Sequence, residues 1–124
     1  MSDVTTAELA GRLDDGGFVL LDVRGAAEYE GRLGAPCDPR WGHIPGARHL
    51  DLGELMRLTS EEVRAAVGSA AGSEVIAYCH SGSRSALAVR ILEAAGYRAR
   101  NYPGSWHEWS HDPSLPAVSV PPPR

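Results

Sequence analysis

Apolar residues fall in two kinds of run along this chain. Residues 18–23 are apolar at every position except Asp22, and Val75-Ile76-Ala77-Tyr78 leads without interruption into Cys79. Short apolar runs of this kind predict strands covered on both faces, here over residues 18–23 and 74–78. Elsewhere the apolar positions recur at helical spacing. Residues 85–95 place Ala88, Ile91, Leu92 and Ala95 on one face, and Gly96 follows as a stop. Thr5-Thr6-Ala7-Glu8 reads as a capping box opening a helix with Leu9 and Leu13 on one face, ended by Gly16-Gly17. Thr59-Ser60-Glu61-Glu62 opens another that runs to Val67. Shorter helical segments are predicted over residues 26–31, 52–58 and 104–111, with brief strands over 47–50 and 98–101. Residues 32–42, rich in Gly and Pro, read as a loop. Strands alternating with helices imply an α/β domain with a mostly parallel sheet covered by helices on both faces. The domain is expected over residues 1–112, and residues 113–124 as a Pro-rich, polyproline-like, disordered tail.

Composition narrows the classes of function. A chain of 124 residues makes one domain whose core needs neither metal nor disulfide. The formal charge is −4, and all twelve basic residues are arginines scattered along the chain, so no nucleic-acid partner is expected. No apolar run is long enough to span a bilayer, and the first residues carry no export signal, so no membrane partner is expected. Two cysteines, Cys37 and Cys79, without a secretory context predict free thiols and a cytoplasmic location.

The candidate chemistry lies in Tyr78-Cys79-His80-Ser81-Gly82-Ser83-Arg84-Ser85. Cys79 ends a buried strand, and a short polar loop feeds a helix amino terminus. Ligands on sheets of this kind bind at the carboxyl ends of the strands. The unpaired N–H groups and dipole of the helix end favour an anion there. A thiol in such a cup, close to Arg84, is expected to be a thiolate near neutral pH. A cation at a helix amino terminus is unfavourable, so Arg84 implies a balancing anion and is expected to meet an anionic donor. His80 is expected either to tune the thiolate or to touch the donor. Asp22 and Arg24 are expected to organise the fold, because a buried carboxylate needs partners. His43 is expected to brace a turn, and Trp106 and Trp109 to pack against the sheet. Cys37 is expected to be an exposed, dispensable thiol, with a resolving role toward Cys79 as the alternative. Cys37 and His43 lack the paired spacing of metal ligands, so neither metal nor cofactor is expected.

Three segments together resemble the rhodanese family of sulfurtransferases. Asp22-Val23-Arg24 with Glu28-Tyr29 is similar to its D-[VAS]-R-x-x-x-E-[FY] signature, and Gly42-His43-Ile44-Pro45-Gly46-Ala47 to its G-H-I-P-G-A signature. The stretch from Cys79 to Arg84 resembles its active-site loop, C-x-x-G-x-[RST], and Gly104-Ser105-Trp106-His107-Glu108-Trp109 its G-S-W-x-E-W segment. The resemblance covers roughly residues 5–109 and implies a rhodanese-like doubly wound domain that moves a sulfane sulfur through a cysteine persulfide. It implies Cys79 as the nucleophile and the N–H groups of His80, Ser81, Gly82, Ser83, Arg84 and Ser85 as the anion cradle. It also implies small-molecule donors and acceptors (thiosulfate, cyanide or thiols) and a protein sulfur acceptor as a further partner class. The loop departs from the C-R-K-G-V-T and C-G-[SA]-G-V-T forms of two-domain members, and residues 32–41 are longer than in compact single-domain ones. Two alternatives stand beside sulfur transfer: an interaction or sulfur-sensing module, and a cysteine phosphatase. Against the phosphatase, C-x5-R enzymes have one residue more between cysteine and arginine than Cys79 and Arg84 have.

Overall fold

A computed structural model describes residues 2–119. Its elements are α1 (Thr6–Arg12), β1 (Val19–Asp22), α2 (Ala26–Glu30), β2 (Arg48–His49), α3 (Leu52–Leu55), α4 (Ser60–Val67), β3 (Glu74–Tyr78), α5 (Ser83–Ala94), β4 (Arg98–Asn101) and α6 (Ser105–His111). The strands form a four-stranded sheet in the order β2-β1-β3-β4, every pair parallel. An all-parallel sheet must be covered on both faces, and the period of two along each strand sorts its side chains between two cores. Val19, Leu21, Val75, Ala77 and then Cys79 face Leu55, Val63, Val67, Ala88 and Leu92 of α3, α4 and α5. Leu20, Ile76 and Tyr78 face Leu9 of α1, Trp106 and Trp109 of α6, and Ile44 and Tyr102. This is the parallel sheet covered on both faces that the apolar pattern implied and the doubly wound α/β domain that the resemblance implied, and Cys79 continues the α5-facing row. Both tryptophans pack as expected.

Element ends differ from expectation for local reasons. Predicted over residues 85–95, α5 starts at Ser83, because Gly82 turns the chain at φ +99° and acts as its N-cap. The strand expected over 47–50 pairs only through Arg48 and His49. The helix expected over 52–58 ends at Leu55, and Thr59 then caps α4 with its hydroxyl on the Glu62 N–H. The disordered tail is corrected over residues 113–119. His43 donates its backbone N–H to Val118 O at 2.8 Å, Val118 returns one to His43 O at 3.0 Å, and Trp109 Nε1 donates to Pro116 O at 2.8 Å. Gly42, at φ +136°, lets this segment approach, since a Cβ there would collide with the Val118 carbonyl. The triple proline, Pro121 to Pro123, lies outside the described residues. Among the described residues no helix is long and apolar enough to cross a membrane.

Asp22 breaks the apolar run of β1 and is fully buried. Its carboxylate accepts from Arg24 Nη2 at 2.7 Å, from Arg24 Nε and from the Arg24 backbone N–H. Arg24, also buried, donates Nη2 to Gly42 O at 2.5 Å and lies against the Tyr78 and Trp106 rings. The pair therefore ties the end of β1 to the 42–47 turn. His43 stacks on Tyr29, with ring centroids 3.8 Å apart, and its Nδ1 meets Tyr29 O at 2.7 Å, which braces that turn.

Removing one partner of a buried pair strands the other charge. Arg24→Ala is expected to cost about 3–5 kcal/mol, read as a lower urea midpoint. Thr59→Ala, which removes a surface cap, should cost about 1 kcal/mol.

Candidate active site

Cys79 leaves β3 at its carboxyl end and is almost completely buried. Two neighbouring elements, α6 and β4, hold the main chain there. Trp106 N–H donates to Cys79 O at 2.9 Å, and His107 N–H to His80 O at 2.9 Å. Cys79 N–H donates to the Ser105 hydroxyl at 3.1 Å, and that hydroxyl donates onward to Tyr102 O at 2.8 Å. Ser105 makes these contacts from a left-handed backbone, φ +56°, an arrangement that costs a non-glycine residue about 1–3 kcal/mol. Asn101 Nδ2 donates to Gly82 O at 3.2 Å from the end of β4.

The loop then closes over the sulfur. Gly82 N–H points at Cys79 Sγ from 3.0 Å, and the Ser85 hydroxyl from 3.3 Å. The same hydroxyl reaches Gly82 O at 3.2 Å, so its one hydrogen is shared between two acceptors. Burial pushes the Cys79 thiol up, but the Ser85 hydroxyl and the N–H groups of Ser85, Gly82 and Ser81 outweigh it and bring the thiol below its ordinary value. Gly82 is required at the centre of the loop, because a Cβ would lie 2.8 Å from Pro103 O in addition to its positive φ. The arrangement is a sulfur whose hydrogen-bond donors are fixed in advance by secondary structure and favour its anionic form.

The other predicted residues divide. Ser81 and Ser83 lie on the exposed rim, and Ser85 is buried beneath the sulfur. Arg84 does have a balancing anion, and it is Glu28 of α2: Nη1 lies 3.0 Å from Oε1 and Nη2 3.3 Å from Oε2. Glu28 also accepts from Gly25 N–H at 3.3 Å. Burial would raise the Glu28 carboxyl, yet Arg84 outweighs it and holds it below the ordinary range. Arg84 is thus anchored beside the site, and Glu28, visible in the sequence only as part of a signature, is its anchor. Asp22 and Arg24 belong to the buried pair behind the loop.

His80 turns away from the sulfur-facing donors toward Asp38, whose Oδ2 is 2.9 Å from its Nε2. Asp38 Oδ1 is 3.0 Å from His107 Nδ1, and the exposed Cys37 Sγ lies 4.0 Å from that same nitrogen. In the sequence Cys37 has no metal ligand at paired spacing, whereas folding groups it with Asp38, His80 and His107. Asp38, His107 and Ser105 went unrecognised in the sequence, because residues 38, 80 and 107 meet only in three dimensions. For Ser105 the G-S-W segment was the available signal.

Comparison with known proteins gives a consistent picture. A family model described as the rhodanese-like domain matches residues 5–112. SseB of Mycobacterium tuberculosis, provisionally named a thiosulfate sulfurtransferase, is 37% identical over 119 residues, covering 90% of this chain and 40% of its own length. A crystal structure described as a probable thiosulfate sulfurtransferase superposes with a TM-score of 0.80 at 41% identity, over 93% of this chain and 46% of that one. A human single-domain sulfurtransferase superposes at 0.70 and 28% identity, over 90% of this chain and 97% of that one. The chain thus spans about 40% of the length of the curated relatives it matches first.

Alkylation of Cys79 by iodoacetamide should show a midpoint below the ordinary cysteine pKa of about 8.5, because the thiolate is the reacting form. Ser85→Ala, which removes a hydroxyl that lowers the thiol, should move that midpoint upward. An unchanged midpoint would mean that the backbone donors alone set it.

Proposed function

The chain belongs to the rhodanese-like domain family, and from that premise we propose that it is a sulfurtransferase working through a persulfide on Cys79. The Cys79 thiolate attacks the outer sulfur of thiosulfate, forming a Cys–S–S bond as the S–S bond of the donor breaks and sulfite leaves with the bonding pair. A thiophilic acceptor then attacks the outer sulfur of the persulfide. With cyanide the products are thiocyanate and the regenerated Cys79 thiolate, so the charge and sulfur balance closes over the cycle. A persulfide of a small thiol serves as donor in the same way, releasing the thiolate in place of sulfite. A thiol, free or on a protein, serves as acceptor. No proton has to be abstracted once the thiolate exists, which is why His43, stacked away on Tyr29, is assigned no part in the chemistry.

The observation that carries this reading is the convergence of Gly82 N–H and the Ser85 hydroxyl on Cys79 Sγ itself, at 3.0 and 3.3 Å. Donors that close in on the sulfur suit one added sulfur atom, about 2.05 Å farther out. A phosphoryl group needs donors spread around three oxygens. The N–H groups from His80 to Ser85 make the cradle, and the Arg84–Glu28 pair stands at its side, where Arg84 draws an anionic donor. Free thiols at Cys37 and Cys79 suit a reducing, cytoplasmic setting.

Cys79→Ser should abolish thiosulfate:cyanide turnover while leaving the unfolding transition in place. The decisive comparison loads wild type with thiosulfate, 3-mercaptopyruvate and glutathione persulfide, measuring by mass spectrometry a reducible adduct of about 32 Da on Cys79, and runs an aryl phosphate beside them. Hydrolysis of the phosphate through Cys79, with no sulfur loaded from any donor, would overturn the assignment. Arg84→Ala should raise the KM for thiosulfate on the order of tenfold. An unchanged KM with a lowered Tm would instead make Arg84 a brace for Glu28 and α2.

A further inference from the structure

Beside the sulfur cradle lies a second group of chemistry-bearing side chains that sulfur transfer leaves unused. Cys37 and Asp38 come from the 32–42 loop, His80 from the active-site loop and His107 from α6. One donor atom from each lies within 4.8 Å of all the others. The separations are 2.9 Å for Asp38 Oδ2 to His80 Nε2, 3.0 Å for Asp38 Oδ1 to His107 Nδ1, 3.8 Å for Cys37 Sγ to Asp38 Oδ1, and 4.0 Å for Cys37 Sγ to His107 Nδ1. Ligand bonds of about 2.0–2.3 Å in a tetrahedral site put the donor atoms about 3.3–3.8 Å apart, so the observed spacings bracket what one ion requires.

A second observation points the same way. The Asp38 side chain is 1% exposed, and its Oδ2 has no hydrogen-bond partner. His80 Nε2 is likewise buried and unpartnered, although the two atoms face one another at 2.9 Å, because they are not aligned for a hydrogen bond. A buried carboxylate oxygen and a buried imidazole nitrogen left unsatisfied together are costly. Contacts with His107 and the Cys37 thiol account for Oδ1 alone and leave Asp38 Oδ2 and His80 Nε2 unsatisfied. A cation bound by all four satisfies each of them.

We propose that Cys37, Asp38, His80 and His107 form a mononuclear site for a borderline divalent cation of the zinc class. One thiolate, two imidazoles and one carboxylate are the donor set that suits such an ion, and hard cations such as magnesium or calcium prefer oxygen alone. Four protein ligands close the coordination sphere, which makes the site structural or regulatory in character. Binding releases the Cys37 thiol proton to solvent and joins three separate parts of the chain. Because His80 directly follows Cys79, the ion would pin the active-site loop to the 32–42 segment. The site is independent of the sulfur-transfer assignment, since none of its ligands is the proposed nucleophile.

The test uses the full chain carrying Cys79→Ser, which is inert in transfer and cannot lend the Cys79 thiolate to the metal. Titration with Co²⁺ should give a thiolate-to-cobalt charge-transfer band saturating at one equivalent, and Zn²⁺ should displace it, following the order of affinities for these ions. Adding Cys37→Ser should remove the band. Adding His107→Ala, at a half-exposed position that does not threaten folding, should weaken binding by tenfold or more while leaving the unfolding transition of the metal-free protein in place. No band in the Cys79→Ser protein, or a band that survives loss of Cys37, overturns the site. Wild-type binding that depends on Cys79 alone overturns it equally, while leaving sulfur transfer through Cys79 untouched.

Discussion

The buried pair of Asp22 and Arg24 is the constraint on which the geometry around the site depends. Two charges removed from water cannot drift apart, because either one alone would be left unsolvated in the core. Arg24 also uses its fork to hold Gly42 O, so the end of β1 and the 42–47 turn have a fixed relation. Tyr78, beneath the guanidinium, accepts on its hydroxyl oxygen the Ile44 N–H of that same turn at 3.0 Å. Val23 N–H reaches Tyr78 O at 3.0 Å, which carries the fixed position from β1 to the residue before Cys79. Cys79 is therefore placed by a network that begins at Asp22 and Arg24 and never touches the sulfur.

Around the sulfur, the balance between burial and hydrogen bonding decides reactivity. A cysteine as deeply buried as Cys79 would ordinarily be inert, with a raised pKa. The loop reverses that by turning backbone N–H groups and one hydroxyl inward, and secondary structure on three sides keeps them there: β4 through Asn101, α6 through Trp106 and His107, and α5 through its own first turn. The strained Ser105 belongs to the same support, since its hydroxyl is what the Cys79 N–H finds.

The 32–42 segment shapes the other side of the site. Arg40 donates to Ser110 O, Leu115 O, Trp109 O and Asp112 O, closing the carboxyl end of α6 where unpaired carbonyls collect. Trp106 Nε1 returns a hydrogen bond to Arg40 O at 3.0 Å. With the loop fixed against α6 at residue 40, Cys37 and Asp38 are delivered to His107 and His80. A stretch that reads as an irregular Gly- and Pro-rich connection is, in the fold, the wall joining α6 to the active-site loop.

The sequence by itself determined the element types, the two-faced burial of β1 and β3, and the position of Cys79 where a strand meets a helix. Those follow from local periodicity and caps, which act over a few residues: Thr59 and Glu62 cap α4 whatever lies opposite. It also showed that Asp22 and Arg84 each needed a partner of opposite charge. Asp22 finds Arg24 two residues away, as the sequence allowed. The partner of Arg84, Glu28, is fifty-six residues distant and was decided only when the tertiary fold brought the first turn of α5 within reach of α2. The same holds for residues 113–119, whose prolines read as a free tail but whose backbone pairs with His43. It holds most of all for Asp38, His80 and His107, which share no periodicity or motif. Their meeting depends on α6 docking against the carboxyl end of β3, a packing event driven by Trp106 and Trp109 in the second core, and no local rule in the chain encodes it.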